Sequence, residues 1–308
     1  AGVQHTAASA KIAAHLNNSD DIHFLPPYRF ANRRKLAEWL KLDDAALDDK
    51  VSETLIRAVA AQRSIKSPEE IAEMEKATTI SGAMHRAVMA SATAGQKEAV
   101  LAGVAQGIAV GMNGQLSYPV IATVNGQILH NHYHGNVLED GQLVLGDFGA
   151  ETELHYAGDI TRTFPVAKTF SPQQKEIYEL VLQMMETAFA KLKVGTPYLD
   201  VHLAAAKTMV DGLQAIGLMQ GDAAEAVEQG AHALFFPHGL GHMIGLDVHD
   251  MEDLGEQYVG YSDEVERSTQ FGTSALRLGK ALEAGFTLTV EPGIYFIPEL
   301  YEQWKSDG

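Results

Sequence analysis

Two helix starts of one form frame this chain. Ser67-Pro68-Glu69-Glu70 offers a serine N-cap, a proline at the first helical position and a glutamate at the third, and Ser171-Pro172-Gln173-Gln174 repeats the arrangement. The serine hydroxyl takes up an unpaired helix N–H, the glutamate or glutamine returns a bond to the serine N–H, and proline has no N–H to leave unpaired. Behind the first start, Ile71, Met74, Ala77, Ile80, Met84, Ala87 and Val88 recur at helical spacing and predict a buried stripe. The same periodicity predicts helices over about 96–110, from Ser171 to near Gly195, and over about 197–216. Between the two starts the pattern changes to strands at Tyr118 to Val124, Leu143 to Phe148 and His155 to Phe164, with Asn125-Gly126 and Asp140-Gly141 as turns. Strand-like segments return around 243–248 and 286–297. Helices, strands, helices, strands is the order of an α+β domain, an antiparallel sheet covered by helices on one face.

Residues 1–62 carry looser signals. Asn17 to Asp21 reads as a polar turn, Ile22 to Leu25 as a short strand ended by Pro26-Pro27, and Leu36 to Leu42 and Ala45 to Ala61 as helices. This part is expected to be the end of an α/β domain, with a boundary near Arg63-Ser64-Ile65-Lys66. The polar, turn-rich stretch 251–275 reads either as a surface insertion near the site or as a solvated connection.

Composition narrows the function. The formal charge of 23 − 40 = −17 argues against a generic nucleic-acid backbone binder, which would carry a basic patch. Cysteine is absent, which excludes disulfides and thiolate zinc sites and fits a reducing, cytoplasmic setting. No apolar run approaches the roughly 18 residues of a membrane span, and Ala1-Gly2-Val3-Gln4-His5 has no secretory pattern.

Pro237 to Asp250 places His238, His242 and His249 among glycines and apolar residues. Asp147 ends an apolar strand in Leu143-Val144-Leu145-Gly146-Asp147-Phe148-Gly149, and Glu291 ends another before Pro292-Gly293. A buried carboxylate needs a partner or a metal, whereas a turn residue does not, and Asp147 alone fits both. Asp159 follows after a turn near Glu151-Thr152-Glu153, and a hairpin of that length can return it beside Asp147. Adjacent carboxylates repel, and cations resolve the repulsion. Carboxylates with one imidazole suit manganese, magnesium, iron(II), cobalt or zinc. His238 and His242 are four apart, but Gly239 and Gly241 argue against a regular helix, and no His-Glu-x-x-His occurs. His130-Asn131-His132-Tyr133-His134 could bind metal by itself, while His5, His15, His85 and His202 read as structural hydrogen-bonding residues.

Taken with Ile128-Leu129-His130, Tyr156-Ala157-Gly158-Asp159-Ile160-Thr161-Arg162-Thr163-Phe164-Pro165 and Val290-Glu291-Pro292-Gly293-Ile294-Tyr295, these segments resemble the pita-bread metallopeptidases, in the aminopeptidase P and prolidase branch. The resemblance covers about 63–300 and implies a pita-bread catalytic domain over 63–308, with 1–62 as a remnant of the N-terminal creatinase-type domain. It implies two divalent ions, manganese first, with zinc, cobalt or iron(II) as alternatives. Asp147, Asp159, His242 and Glu291 would be their ligands, and Asp159 would bridge both ions. A water between the ions would attack the peptide carbonyl, and Glu291 would accept its proton. His130, His238 and His249 match positions that orient substrate, stabilise the intermediate or pass protons. The implied reaction is hydrolysis of the Xaa-Pro bond at the N-terminus of peptides or in dipeptides, with a proline-containing peptide as partner and a homodimer left open. The family's fifth ligand, a glutamate on a later strand, has no counterpart among residues 294–308, where Glu299 and Glu302 fall in an apparent loop. The chain is therefore expected to be truncated at both ends. A non-catalytic peptide-binding relative, an inactive fragment of the fold, and a creatinase-like amidinohydrolase are the competing readings. Asp147 and Asp159 together weigh against the last.

Overall fold

The computed structural model describes residues 11–14, 16 and 22–307. The turn expected at Asn17 to Asp21, and His5 and His15, lie outside the described residues. The chain divides into two compact units, residues 1–63 with Met251–Val259, and Ser64–Asp250 with Gly260–Gly308.

In the first unit, helix α1 spans Phe30–Leu40, α2 Asp44–Asp48 and α3 Glu53–Ser64. The sequence reading ran α2 and α3 together. Ser52 separates them, accepting from the Leu55 N–H at 3.2 Å as α3 begins, while Asp43 caps the start of α2 by accepting from the Ala46 N–H at 2.8 Å. Such local side-chain bonds offer the backbone an alternative to a continuing helix. Arg33 joins α1 to α2 through Asp44 and Asp48, and Arg57 lies over the Tyr258 ring at 5.1 Å. Ile22 to Leu25 is extended but forms no strand, and Phe24 O accepts from the Ser52 N–H at 3.1 Å.

The second unit is the α+β domain that the element order implies. Helix α4 covers Pro68–Ser91 and α5 Glu98–Gly111. The capping box at Ser67 is formed in both directions, with bonds of 3.3 and 2.8 Å to Glu70. Met74, Ala77, Ile80, Met84 and Val88 are buried along one face of α4, as their spacing predicts, whereas Ile71 of the expected stripe is exposed and Ala87 half-buried. Strand β1 is Gln115–Leu116, β2 Ile121–Thr123, β3 Leu143–Asp147, β4 Ala150–Glu151 and β5 Thr161–Pro165. β3 pairs antiparallel with both β2 and β5, in a register that sets Asp147 opposite Ile121 and Thr161, and β1 pairs with β4. Ile80, Met84 and Val88 of α4 and Leu101, Ala105 and Ala109 of α5 pack on Ala122, Val144, Phe148 and Phe164. That core fixes one face of the sheet and so fixes where β3 ends.

The second capping box starts α6, Pro172–Lys191, followed by α7, Tyr198–Ala215, and the short α8, Ala223–Glu228. The expected strands near 243–248 and 286–297 are instead extended segments joined by a lone bridge, Met243 to Leu288. Bonds from Ile244 N–H to Thr287 O, Thr289 N–H to His242 O and Glu291 N–H to Leu240 O hold them together. Glycines and Pro292 interrupt a regular ladder, and the close approach needs them: a Cβ on Gly241 would lie 2.2 Å from Thr289 O. The stretch 251–275 is not merely solvated, since Leu254, Val259, Tyr261 and Thr273 are buried and Glu256–Val259 forms a turn of helix, α9. Glu299 and Glu302 lie not in a loop but on helix α10, Pro298–Asp307, which proline opens at its first position. Among the described residues, no helix is long and apolar enough to cross a membrane.

Candidate metal centre

The sheet register builds the site. β3 delivers Asp147 at its last residue, and the chain turns through Thr152 to Tyr156 and returns Asp159 two residues ahead of β5. The extended pair 240–244 and 287–291 brings His242 and Glu291 to the same place. His242 Nε2 lies 3.4 Å from Asp159 Oδ2 and 3.2 Å from Glu291 Oε1. Among the described residues, Asp159, His242 and Glu291 form one group whose ligand atoms all fall within 4.8 Å of one another. Asp147 stands outside this trio and joins it through a hydroxyl: Tyr118 Oη is 2.7 Å from Asp147 Oδ1 and 2.6 Å from Asp159 Oδ1.

A phenol has one proton and cannot donate to two carboxylates at once. Burial, with the Asp159 charge beside it, pushes the Asp147 carboxyl up to about 7. The Tyr118 hydroxyl serves Asp147 Oδ1 and Asp159 Oδ1 one at a time as donor. The Tyr118 hydroxyl is itself held well above its ordinary value, first by burial and then by the two aspartates.

His242 is oriented by its backbone. Its Nδ1 lies 2.9 Å from Met243 O, and a carbonyl only accepts, so Nδ1 carries the proton and Nε2 faces the carboxylates. Burial disfavours the imidazolium, but Asp159 and Glu291 outweigh it and raise His242 to about 10. Burial works against the Glu291 carboxylate too, and His242 overcomes it and holds Glu291 below the ordinary range. Two carboxylates at one imidazole Nε2, with Asp147 close behind Asp159, are the donor set of a hard or borderline divalent cation, and the burial that disfavours the Asp147 carboxylate is what a cation offsets. The residues fit such an ion.

The other histidines take different places. His249 packs edge-on to His242, with ring centroids 4.4 Å apart. His238 donates from Nδ1 to Gly239 O at 2.8 Å, which leaves Nε2 to accept from the Tyr295 hydroxyl at 3.1 Å. Burial lowers His238 and keeps it neutral. His130 is exposed, with a left-handed φ of 54°. The tract around it does not form a metal group of its own: His134 donates to Val120 O at 2.9 Å, and His130 and His132 face solvent. His85 is structural as expected. Its Nε2 lies 2.7 Å from Ile160 O and 3.2 Å from Phe148 O, the carbonyls that directly follow Asp159 and Asp147. His202 departs from that reading: it is buried between the His232 and Phe236 rings, and neither of its ring nitrogens has a hydrogen-bond partner.

Sequence reasoning missed Tyr118, Thr289 and the buried pair Lys66–Asp250. Thr289 hydrogen-bonds both His242 and Glu291. Lys66 Nζ lies 2.9 Å from Asp250 Oδ2. For Asp250 a signal existed, since a charged residue directly after His249 in an apolar segment needs a partner. Tyr118 gave none, because an aromatic at a strand start is ordinary core.

An antiparallel sheet under two helices carries a carboxylate–imidazole cluster at its edge. The chain belongs to the metallopeptidase family M24, which its residues 72–307 match. It is 38% identical over 257 residues to the Xaa-Pro aminopeptidase of Escherichia coli, covering 81% of this chain and 53% of that protein. It is 36% identical over 253 residues to the Xaa-Pro dipeptidase of Rattus norvegicus, covering 80% and 50%. The zinc-substituted E. coli aminopeptidase P in complex with product superposes with a TM-score of 0.78 at 32% identity, covering 97% of this chain and 66% of that one. The chain thus spans about half the length of the curated relatives it matches. The α+β pita-bread architecture expected from the sequence is the one observed.

Proposed function

We propose that this chain hydrolyses the peptide bond between an N-terminal residue and a following proline, in dipeptides or longer peptides, with the help of two divalent ions. Manganese is the proposed native metal, with zinc, cobalt and iron(II) as alternatives. The observation that carries the reading is the Asp159–His242–Glu291 trio with Asp147 linked to it, in a chain of family M24. Asp147, Asp159, His242 and Glu291 would hold the ions, which lower the pKa of water and polarise a carbonyl when bound.

The chain's own residues supply the rest. Glu291 Oε1 is fixed by the Thr289 hydroxyl at 2.7 Å, and its carboxylate is the group to take a proton from the attacking water. His238 is a neutral imidazole with Tyr295 against its Nε2, a pair suited to orienting a substrate carbonyl or stabilising developing charge. His249 lies against His242 and serves proton transfer. His130, on its exposed loop, takes part in holding substrate. We assign residues 1–62 to the N-terminal creatinase-type domain and 63–308 to the catalytic domain, in a cytoplasmic protein whose partners are proline-containing peptides.

The test is hydrolysis of a Gly-Pro dipeptide and an Xaa-Pro-Xaa tripeptide after manganese loading, with metal counted on the same sample. Two ions per chain with cleavage confined to the Xaa-Pro bond is the expected result, and the preferred length chooses between aminopeptidase and dipeptidase. A metal-free, inert protein overturns the reading.

A further inference from the structure

We propose that the Thr289 hydroxyl is the positioning group that aims the Glu291 carboxylate into the metal site. The inference rests on the reading of that site given above. Thr289 Oγ1 lies 3.0 Å from the His242 backbone nitrogen and 2.7 Å from Glu291 Oε1. The direction of these bonds is forced. The His242 N–H can only donate, so it takes a lone pair of the hydroxyl, and the single hydroxyl proton goes to the carboxylate. His242 O, at 3.4 Å, is a poorer alternative for the same proton. One small side chain thus runs a polarised bridge from the backbone of one proposed ligand to the carboxylate oxygen of the other. The oxygen it holds is also the one 3.2 Å from His242 Nε2.

The hydroxyl is not needed to hold the strand. The Thr289 N–H donates to His242 O at 2.9 Å, and Thr289 O accepts from the buried Tyr198 hydroxyl at 2.6 Å. Both bonds belong to the backbone and survive any side-chain change at 289. They fix the residue from which the hydroxyl reaches out. The Glu291 side chain, by contrast, is 36% exposed and has rotamers to choose from. Besides the hydroxyl, the Glu291 Oε1 contact is with His242 itself, the group it would share the metal with. A ligand that must be ordered on binding costs affinity that a pre-set ligand does not, and removing such outer-shell partners costs about 10–100-fold in metal affinity.

The experiment compares the parent with Thr289→Val, which keeps shape and loses the hydroxyl, and Thr289→Ser, which keeps the hydroxyl. Manganese affinity is measured by calorimetry on protein stripped by chelator, and melting of the stripped protein is followed alongside. The expected result is a 10–100-fold weaker affinity for the valine variant, near-parent affinity for the serine variant, and unchanged melting of the stripped forms. Equal affinity in the parent and the valine variant, or equal loss in the valine and serine variants, overturns the proposal while leaving the site reading intact. A parent that binds no manganese overturns the site reading and this inference with it. Should the valine variant melt far lower, Thr289→Ala removes the hydroxyl without the branched side chain. If alanine also melts low while serine does not, the hydroxyl holds the fold and the proposal fails.

Discussion

The buried pair Lys66–Asp250 offers the sharpest test of how the histidine loop is held. The Lys66 and Asp250 side chains are 2% and 1% exposed, with Nζ 2.9 Å from Oδ2. Two ions so fully desolvated hold one another in place, and removing one partner of such a pair costs about 3–5 kcal/mol. Lys66→Met keeps most of the stem volume and removes the charge. Asp250 also closes the loop that carries the histidines, its N–H donating to Met243 O at 2.9 Å. That closure sets the His249 ring 4.4 Å from the His242 ring. A glycine at 245 is part of the same arrangement, since a Cβ there would come 2.7 Å from Asp250 Oδ2. For a domain of this size each kcal/mol shifts the midpoint by about 2–4 °C, so Lys66→Met should lower melting of the chelator-treated protein by roughly 6–20 °C. The double variant Lys66→Met/Asp250→Leu removes both charges and should recover most of that loss, with a coupling of at least about 2 kcal/mol in chemical denaturation. A loss under about 1 kcal/mol in the single variant, or a double variant no better than the sum of the singles, would refute the reasoning.

Asp159→Asn or His242→Ala should abolish metal binding and leave the circular dichroism spectrum of the fold intact, and unchanged metal stoichiometry in either would remove them from the ligand set. His249→Ala should lower turnover more than metal content, and loss of the metal instead would make His249 a ligand. In the metal-free protein His242 and Asp147 should each contribute less stability as pH rises. His242 is raised from 6.5 to about 10, so its contribution is full below pH 6.5 and is lost as pH climbs through 10. Asp147 is raised from 3.8 to about 7, so the folded protein keeps a proton that the unfolded chain releases, and stability falls from about pH 4 through 7. Melting under chelator from pH 4 to 10, read as the difference from an Asp147→Asn/His242→Ala variant, checks this, and a difference that grows with pH counts against both shifts.

The parts of the fold legible in the sequence are those set by local rules. Ser67 and Ser171 started their helices where their capping boxes said, because a capping box needs only four neighbouring residues. The periodic faces of α4 and β3 were legible for the same reason. The segments around His242 and Glu291 were read as strands from their apolar character, yet the glycines that let the two backbones approach also break the ladder. The trio Asp159, His242 and Glu291 was legible as strand-end and glycine-flanked polar residues, but its linkage to Asp147 was not. Tyr118 lies 29 residues from Asp147 and 41 from Asp159, and only the β2–β3–β5 register brings the three together. Thr289 was hidden for a related reason, since a threonine in a strand-like run is what any exposed strand carries.

Tyr118, His242 and Asp147 together explain how so acidic a cluster folds without its ion. Asp147, Asp159 and Glu291 amount to three negative charges when all are ionised, close enough to repel. Below pH 7 the raised values of His242 and Asp147 place one proton on each, which leaves a net −1 across the four groups. Those protons occupy groups a cation needs: one sits on the only nitrogen of His242 that faces the carboxylates, the other on the Asp147 carboxyl. A divalent ion must therefore displace protons to enter, and its affinity must climb with pH until His242 has given up its own. Calorimetry in buffers of different ionisation enthalpy counts those protons directly. One to two released per ion at pH 6–7 follows from the geometry and the raised values at His242 and Asp147. Zero released at that pH would mean that His242 Nε2 does not bind the ion, and the ligand set would have to be drawn again without it.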